Sequence, residues 1–331
     1  MPSSRTSGEI SIPPKEGSIL RIGFKTGSVS AITIRQIMCH EAGLHRIRDM
    51  VDDVHEILDW PHMIETLENA PPAYTPGTAH GYHALTYGWL VGEIVQRIEN
   101  KSFSAVLKEK LADPLGLDGL FIGLPDEEFP RKAELTTQTT HSKTSPVADT
   151  GRGFEIIRKI LYWLSFGKLD LDNFRAALQP KGVSRMDFNS DAVARATIPG
   201  ANGVFTARSL AKVYAALAGG GEVDGVRILS AERIKRINQI QNEGSDLTLL
   251  LNMKWRLGFH RVFDWFSPKS RGFGHAGYGG SGGYADPDRS LALGLTLNSG
   301  VGSPTGDGRI WALMRAAMKC ADARDTIQQR R

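Results

Sequence analysis

The chain has 331 residues, 41% of them hydrophobic, enough for one large or two modest domains with a substantial core. Its net charge of +4 comes from 40 Lys and Arg interspersed among 36 Asp and Glu, a pattern that argues against nucleic-acid binding. Two distant cysteines, Cys39 and Cys320, match no metal or redox spacing and read as free thiols, as in a reducing compartment.

Taken in chain order, residues 1–31 are expected to be poorly ordered apart from a short apolar strand at 19–24. The first 17 residues lack the apolar core of an export signal, and no run of about 18 apolar residues suggests a membrane span. A cytoplasmic protein without membrane attachment is the expectation. A helix is predicted at 33–39, stopped by Gly43, and one or two more at 46–69. Pro71, Pro72, Pro76 and Gly77 then break regular structure. Leu85, Trp89, Leu90, Ile94 and Ile98 recur at helical spacing, predicting a helix at 85–98 with Tyr82 at its mouth.

Further helices are predicted at 103–111, ended by Pro114-Leu115-Gly116, at 154–166, at 206–217 with Thr206 as N-cap, and at 230–240 with Ser230 as cap. The polar stretch 125–153 reads largely as a long surface loop. After residue 250 the pattern becomes extended, with strands at 255–263, 273–278, 282–285 and 291–297 and a closing helix at 308–320. Helices first and a strand meander last predict an α+β fold: an antiparallel sheet flanked by helices, with a mainly helical region at 32–250 and sheet strands with the last helix at 251–331.

A phenol at a helix mouth lies near unpaired N–H groups that favour an anion, one way to lower its pKa toward general-base chemistry. Tyr82 is the first candidate on that ground; the plainer reading is a turn tyrosine packing its ring. Several other patterns are decoys. Gly279-Gly280-Ser281-Gly282-Gly283 fits G-x-S-x-G, but a strand follows it and every histidine precedes it, so a glycine-rich hairpin turn is the better account. His40-Glu41-Ala42-Gly43-Leu44-His45 has one residue too many for H-E-x-x-H, and no metal site is expected. Two S-x-x-K matches occur. Ser165 to Lys168 ends an apolar helix where the dipole opposes an anion, whereas Ser209 to Lys212 opens its helix but reads as an outer helix face. Lys25-Thr26-Gly27 matches K-T-G in the wrong chain order.

Five segments carry a resemblance: 32–44 (ITIRQIMCHEAGL), 76–89 (PGTAHGYHALTYGW), 113–117 (DPLGL), 201–211 (ANGVFTARSLA) and 273–281 (FGHAGYGGS). In this order the chain resembles the β-lactamase-related serine hydrolases of class C type, including the family VIII carboxylesterases. The resemblance implies a β-lactamase/transpeptidase-like fold and ester or amide hydrolysis of a small molecule through an acyl-enzyme, with no cofactor. Tyr82 resembles the tyrosine base of the Y-x-N motif, with Ala84 in place of the asparagine. His275-Ala276-Gly277 resembles the K-T-G counterpart that borders the substrate, and the Tyr278 N–H would be an oxyanion-hole donor. A strand-edge histidine without substrate contact is the plainer reading of His275. The family's S-x-x-K serine would precede residue 32, where the sequence offers no such pair. The expectation is therefore an N-terminally truncated scaffold of reduced stability, with a non-catalytic binding cleft as the alternative to an active hydrolase.

Overall fold

A computed structural model describes residues 32–137, 171–261, 272–300 and 308–329, the last with side chains to residue 324. The strand at 19–24, the helix at 154–166 with its Ser165/Lys168 pair, the Lys25-Thr26-Gly27 match and the loop at 138–153 fall outside these residues.

The first helix, α1 (Ile34–Met38), starts where predicted because Thr33 and Gln36 cap each other: the Gln36 N–H donates to Thr33 Oγ1 and the Thr33 N–H to Gln36 Oε1. Its stop differs from the expectation. His40, with φ 61°, turns the chain out of the helix three residues before Gly43. Helices α2 (Trp60–Asn69) and α3 (Thr86–Glu99) follow, after a short helical turn at Ile47–Met50 and a 3-10 turn at Val54–Leu58. Their apolar faces meet in one core of Ile37, Leu44, Ile47, Met63, Trp89 and Ile94. The predicted helix 103–111 is α4 (Phe103–Leu107), continued through a π-turn at Lys108–Ala112 and closed by Gly116 at φ 59°.

Thr206 does cap α5 (Ala207–Ala218), accepting the Ser209 N–H, a contact worth about 1 kcal/mol. Ser230 likewise caps α6 (Ala231–Ile237), which ends three residues short of the predicted stop. The principal sheet is an antiparallel meander of β1 (Phe273–Ala276), β2 (Gly282–Asp286) and β3 (Leu291–Leu295). Alternation along the strands gives it two faces. Ala276, Tyr284 and Leu293 pack on Ile310, Met314 and Met318 of α7 (Gly308–Gln329), and Phe273 and Ala285 pack against Tyr214 and Leu217 of α5. The expected α+β architecture, a sheet flanked by helices, is what forms.

One prediction fails outright. Residues 255–261 make no strand: they form a tight loop tied to the sheet by isolated bridges of Trp255 with His260 and of His260 with Gly274. Gly258 at φ 84° and Lys254 at φ 50° bend the chain there, and the aromatic side chains that suggested a strand are packed as rings within a loop. Among the described residues no helix is long and apolar enough to cross a membrane.

The sheet and α5 approach closely because His275, Gly283 and Gly294 are aligned across three strands and two of the three have no side chain. A Cβ on Gly294 would lie 2.5 Å from the Ala211 backbone N and 2.8 Å from the Ala207 carbonyl, both on α5, where nothing can swing aside. Gly294→Ala is therefore expected to lower unfolding free energy by about 1–3 kcal/mol in urea titration. Wild-type stability in that variant would contradict this close approach.

Candidate active site

Tyr82 does not sit at a helix mouth. Helix α3 begins at Thr86, and residues 78–85 form an irregular segment held by other loops. The Gly81 N–H donates to the His40 carbonyl, the Leu247 N–H to the His80 carbonyl, and the Gly77 N–H to the Glu41 carbonyl. This lacing brings the segments around residues 40, 80 and 247 together, and the 255–260 loop links them to the sheet.

The two principal candidates meet there. Tyr82 Oη lies 3.1 Å from His275 Nε2, although 193 positions separate them in sequence. Around the phenol ring, Trp255 stacks at 5.5 Å and 15° between ring planes, and His40 approaches edge-on at 5.3 Å. His260 lies edge-on to His275 at 5.0 Å.

Protonation follows from burial. Burial and the nearby Asp246 carboxylate push the Tyr82 pKa up, opposite to the expected helix-dipole effect. Burial likewise lowers His275 to about 4, so its imidazole is neutral at pH 7. The His275 ring also hydrogen-bonds the Ala276 backbone in a way that raises its pKa, so a ring N–H is the donor there and Nε2 of the neutral imidazole is left to accept the Tyr82 Oη–H. Neighbouring tautomers are set the same way. His83 Nδ1–H donates to the Gly81 carbonyl while His83 Nε2 accepts the Leu44 N–H, and His40 Nδ1 accepts the His83 N–H. His260 Nδ1–H donates to the Arg261 carbonyl.

Behind Tyr82 lies Asp246, with no solvent exposure. Its Oδ1 accepts the N–H groups of Tyr82 (3.1 Å), Thr248 (2.8 Å) and Leu249 (2.9 Å), and its Oδ2 accepts Trp255 Nε1–H (2.9 Å). Sequence reasoning missed Asp246, Trp255, His40 and His260. The Ser245-Asp246-Leu247-Thr248 run does carry the local signal of an Asx-type turn, but not its reach to Tyr82.

Gly277 and Tyr278 open the hairpin between β1 and β2, and the G-x-S-x-G run is that hairpin, with Gly279 and Gly280 at φ 98° and 96°. The Gly277 N–H is taken up by the Ser281 carbonyl. By contrast, the Tyr278 N–H donates to no described residue, and its side chain is 70% exposed. Ser281 Oγ accepts the Leu297 N–H. Ser209 is buried and donates to Asp118 Oδ1, while Lys212 pairs with Asp224 at 2.9 Å, so this Ser and Lys are not joined as nucleophile and base. His40 and His45 are engaged separately, by the His83 N–H and by Asn173, and the described residues contain no cluster of three metal-ligating groups. No described serine hydroxyl is hydrogen-bonded to Tyr82.

The buried imidazoles make stability depend on pH. His45 and His275 are lowered to about 4 and His83 and His260 to about 3, each mainly by burial, against 6.5 for the free side chain. Between those values the unfolded chain binds protons that the folded chain excludes, so stability falls as pH drops from about 6.5 toward 4 and this contribution is flat above about 7. Urea midpoints followed from pH 7 to about 4.5 should decline, with uptake of more than one proton per unfolding. A constant midpoint would show that these imidazoles are not buried neutral.

A family model described as Beta-lactamase matches residues 19–318. The Esterase/beta-lactamase LipL of Mycobacterium tuberculosis (strain ATCC 25618 / H37Rv) is 32% identical over 276 residues, 83% of this chain. The chain spans 60% of that relative's length. Among solved structures, a family VIII carboxylesterase superposes with a TM-score of 0.74 at 30% identity, over 90% of this chain and 73% of that one. A penicillin-binding protein homologue from Caulobacter crescentus gives a TM-score of 0.68 at 32% identity, over 85% and 69%. Matched along most of its length in sequence and carrying the same fold, the chain belongs to the β-lactamase-related serine hydrolase family.

Proposed function

We propose that Tyr82 and His275 form the proton relay of an esterase that hydrolyses uncharged small-molecule esters through an acyl-enzyme. The observation that supports this reading is the Tyr82 Oη–H to His275 Nε2 hydrogen bond between two neutral groups. A phenol with a raised pKa is a poor store for a proton's worth of negative charge. It can still pass a proton on. As a serine hydroxyl from outside the described residues attacks the ester carbon, its proton moves to Tyr82 Oη while the Tyr82 proton moves to His275 Nε2, and the Tyr82 oxygen never carries a full charge. The carbonyl oxygen, now negative, is stabilised by the open Tyr278 N–H. Collapse expels the alkoxide, which takes its proton back along the same path. Water then repeats the sequence on the acyl-enzyme to release the carboxylic acid.

The preference for uncharged esters rests on the rings around Tyr82. His40 and His275 are both neutral at pH 7, and Trp255 carries no charge, so none of them offers a cation to a substrate carboxylate. Behind Tyr82 the Asp246 carboxyl, whose four N–H donors favour the charged form against the upward pull of burial, would repel an anionic substrate.

A second reading, a cleft that binds such molecules without turning them over, draws on one observation: no described serine hydroxyl is hydrogen-bonded to Tyr82. Turnover separates the two. The purified chain should hydrolyse a neutral chromogenic short-chain ester faster than an anionic chromogenic β-lactam, and Tyr82→Phe should reduce that rate by about 10²–10⁴-fold. A relay also predicts a kcat/KM that is flat from about pH 7 to about pH 9, whereas a phenolate base would give a rate still rising toward pH 10. Binding of the ester with no turnover would favour the second reading, and full activity in Tyr82→Phe would remove the relay.

A further inference from the structure

We infer that Asp246 is a positioning residue for Tyr82, gripping it at both backbone and ring so that the phenol is held at hydrogen-bond distance from His275. The inference rests on the relay proposed above and extends it to a residue that touches neither substrate nor reacting atom.

Three features of the geometry carry it. The carboxylate reaches Tyr82 twice: directly, through the Tyr82 N–H on Oδ1, and indirectly, through Trp255 Nε1–H on Oδ2, since the Trp255 ring is the one stacked on the phenol. A ring fixed at its backbone origin and along its face has little freedom left to swing its hydroxyl. Secondly, although burial raises the Asp246 pKa, all four groups donating to it are N–H donors, which oppose that shift and favour a carboxylate accepting at both oxygens. Two of them, the Thr248 and Leu249 N–H groups, come from its own turn, so Asp246 is itself held before it holds Tyr82. Thirdly, the residue has no solvent exposure, so water cannot replace it as acceptor for Tyr82 and Trp255 without a rearrangement. Positioning of this kind is worth much: displacing a reacting group by about 1 Å costs about 100-fold in rate.

The chemistry of the two oxygens supplies a selective test. Asp246→Asn keeps a carbonyl oxygen for the three backbone donors but turns an NH2 group toward Trp255 Nε1–H, setting donor against donor. Trp255→Phe removes the indole donor and leaves Asp246 unchanged. In the double variant the opposed donors are gone, and folding stability should recover toward that of Trp255→Phe alone. Three readouts are taken on the full chain: urea stability, kcat and KM on a neutral chromogenic ester, and the ring resonances of Tyr82 in protein labelled at tyrosine, assigned with Tyr82→Phe. Asp246→Asn is expected to lower kcat per folded molecule by about 100-fold with KM changed less than about threefold, and to shift the Tyr82 resonances. The double variant should regain stability without regaining kcat.

Unchanged kcat per folded molecule and unmoved Tyr82 resonances in Asp246→Asn would reduce Asp246 to a structural residue and overturn the inference. If Asp246→Asn does not fold, Trp255→Phe alone decides: moved Tyr82 resonances with a loss of kcat support positioning, and their absence refutes it. A parent chain without ester turnover would refute the relay, while a displaced Tyr82 ring in Asp246→Asn would still establish the positioning.

Discussion

One buried carboxylate organises the site. Asp246 collects N–H groups from a segment near residue 82, from its own turn and from the loop at 255; the Thr248 and Trp255 donors are buried, and those of Tyr82 and Leu249 partly so. Leaving one such donor unpaired costs about 1–3 kcal/mol, so the three segments are bound to one another by what separation would expose. Backbone polarity is satisfied here by a side chain because none of the three segments is helix or strand. The sheet lies beyond them, and His260 bridges to it through Gly274, the residue before His275.

The electrostatic setting of Tyr82 follows from this arrangement. The tyrosine is surrounded by neutral rings in front and a carboxylate behind, and all these contacts oppose an anionic phenol. Helix dipoles play no part in it, because α3 starts four residues past Tyr82. In the proposed relay the neutral imidazole is the proton acceptor, and the burial that keeps His275 uncharged is the same burial that makes the fold sensitive to acid.

The sequence made some of this legible and hid the rest for physical reasons. Thr206 and Ser230 were readable as caps because capping is decided within four residues. The β1–β2 hairpin was readable from its glycines, and Tyr82 and His275 from segments shared with a known family. The position of Tyr82 relative to its helix was misread, because apolar periodicity begins at Leu85 whether or not the preceding residues are helical. In fact residues 78–85 are held by contacts from residue 40 and residue 247, which no local pattern announces. The same blindness turned the 255–261 loop into a strand: its aromatic content marks burial, and burial alone does not distinguish a strand from a loop packed with rings. Asp246 was invisible since an acidic residue in a polar stretch ordinarily faces water.

His40 joins two duties in one residue. Its backbone, at φ 61°, ends α1, a conformation that glycine adopts without cost and histidine does not, while its imidazole lies edge-on to Tyr82 and 4.1 Å from the Trp255 ring. A glycine at position 40 would relax the main chain and at the same stroke leave a void against the phenol. An unstrained main chain and a well-seated tyrosine therefore make opposite demands on this position, and His40 keeps the ring contacts at the expense of the backbone.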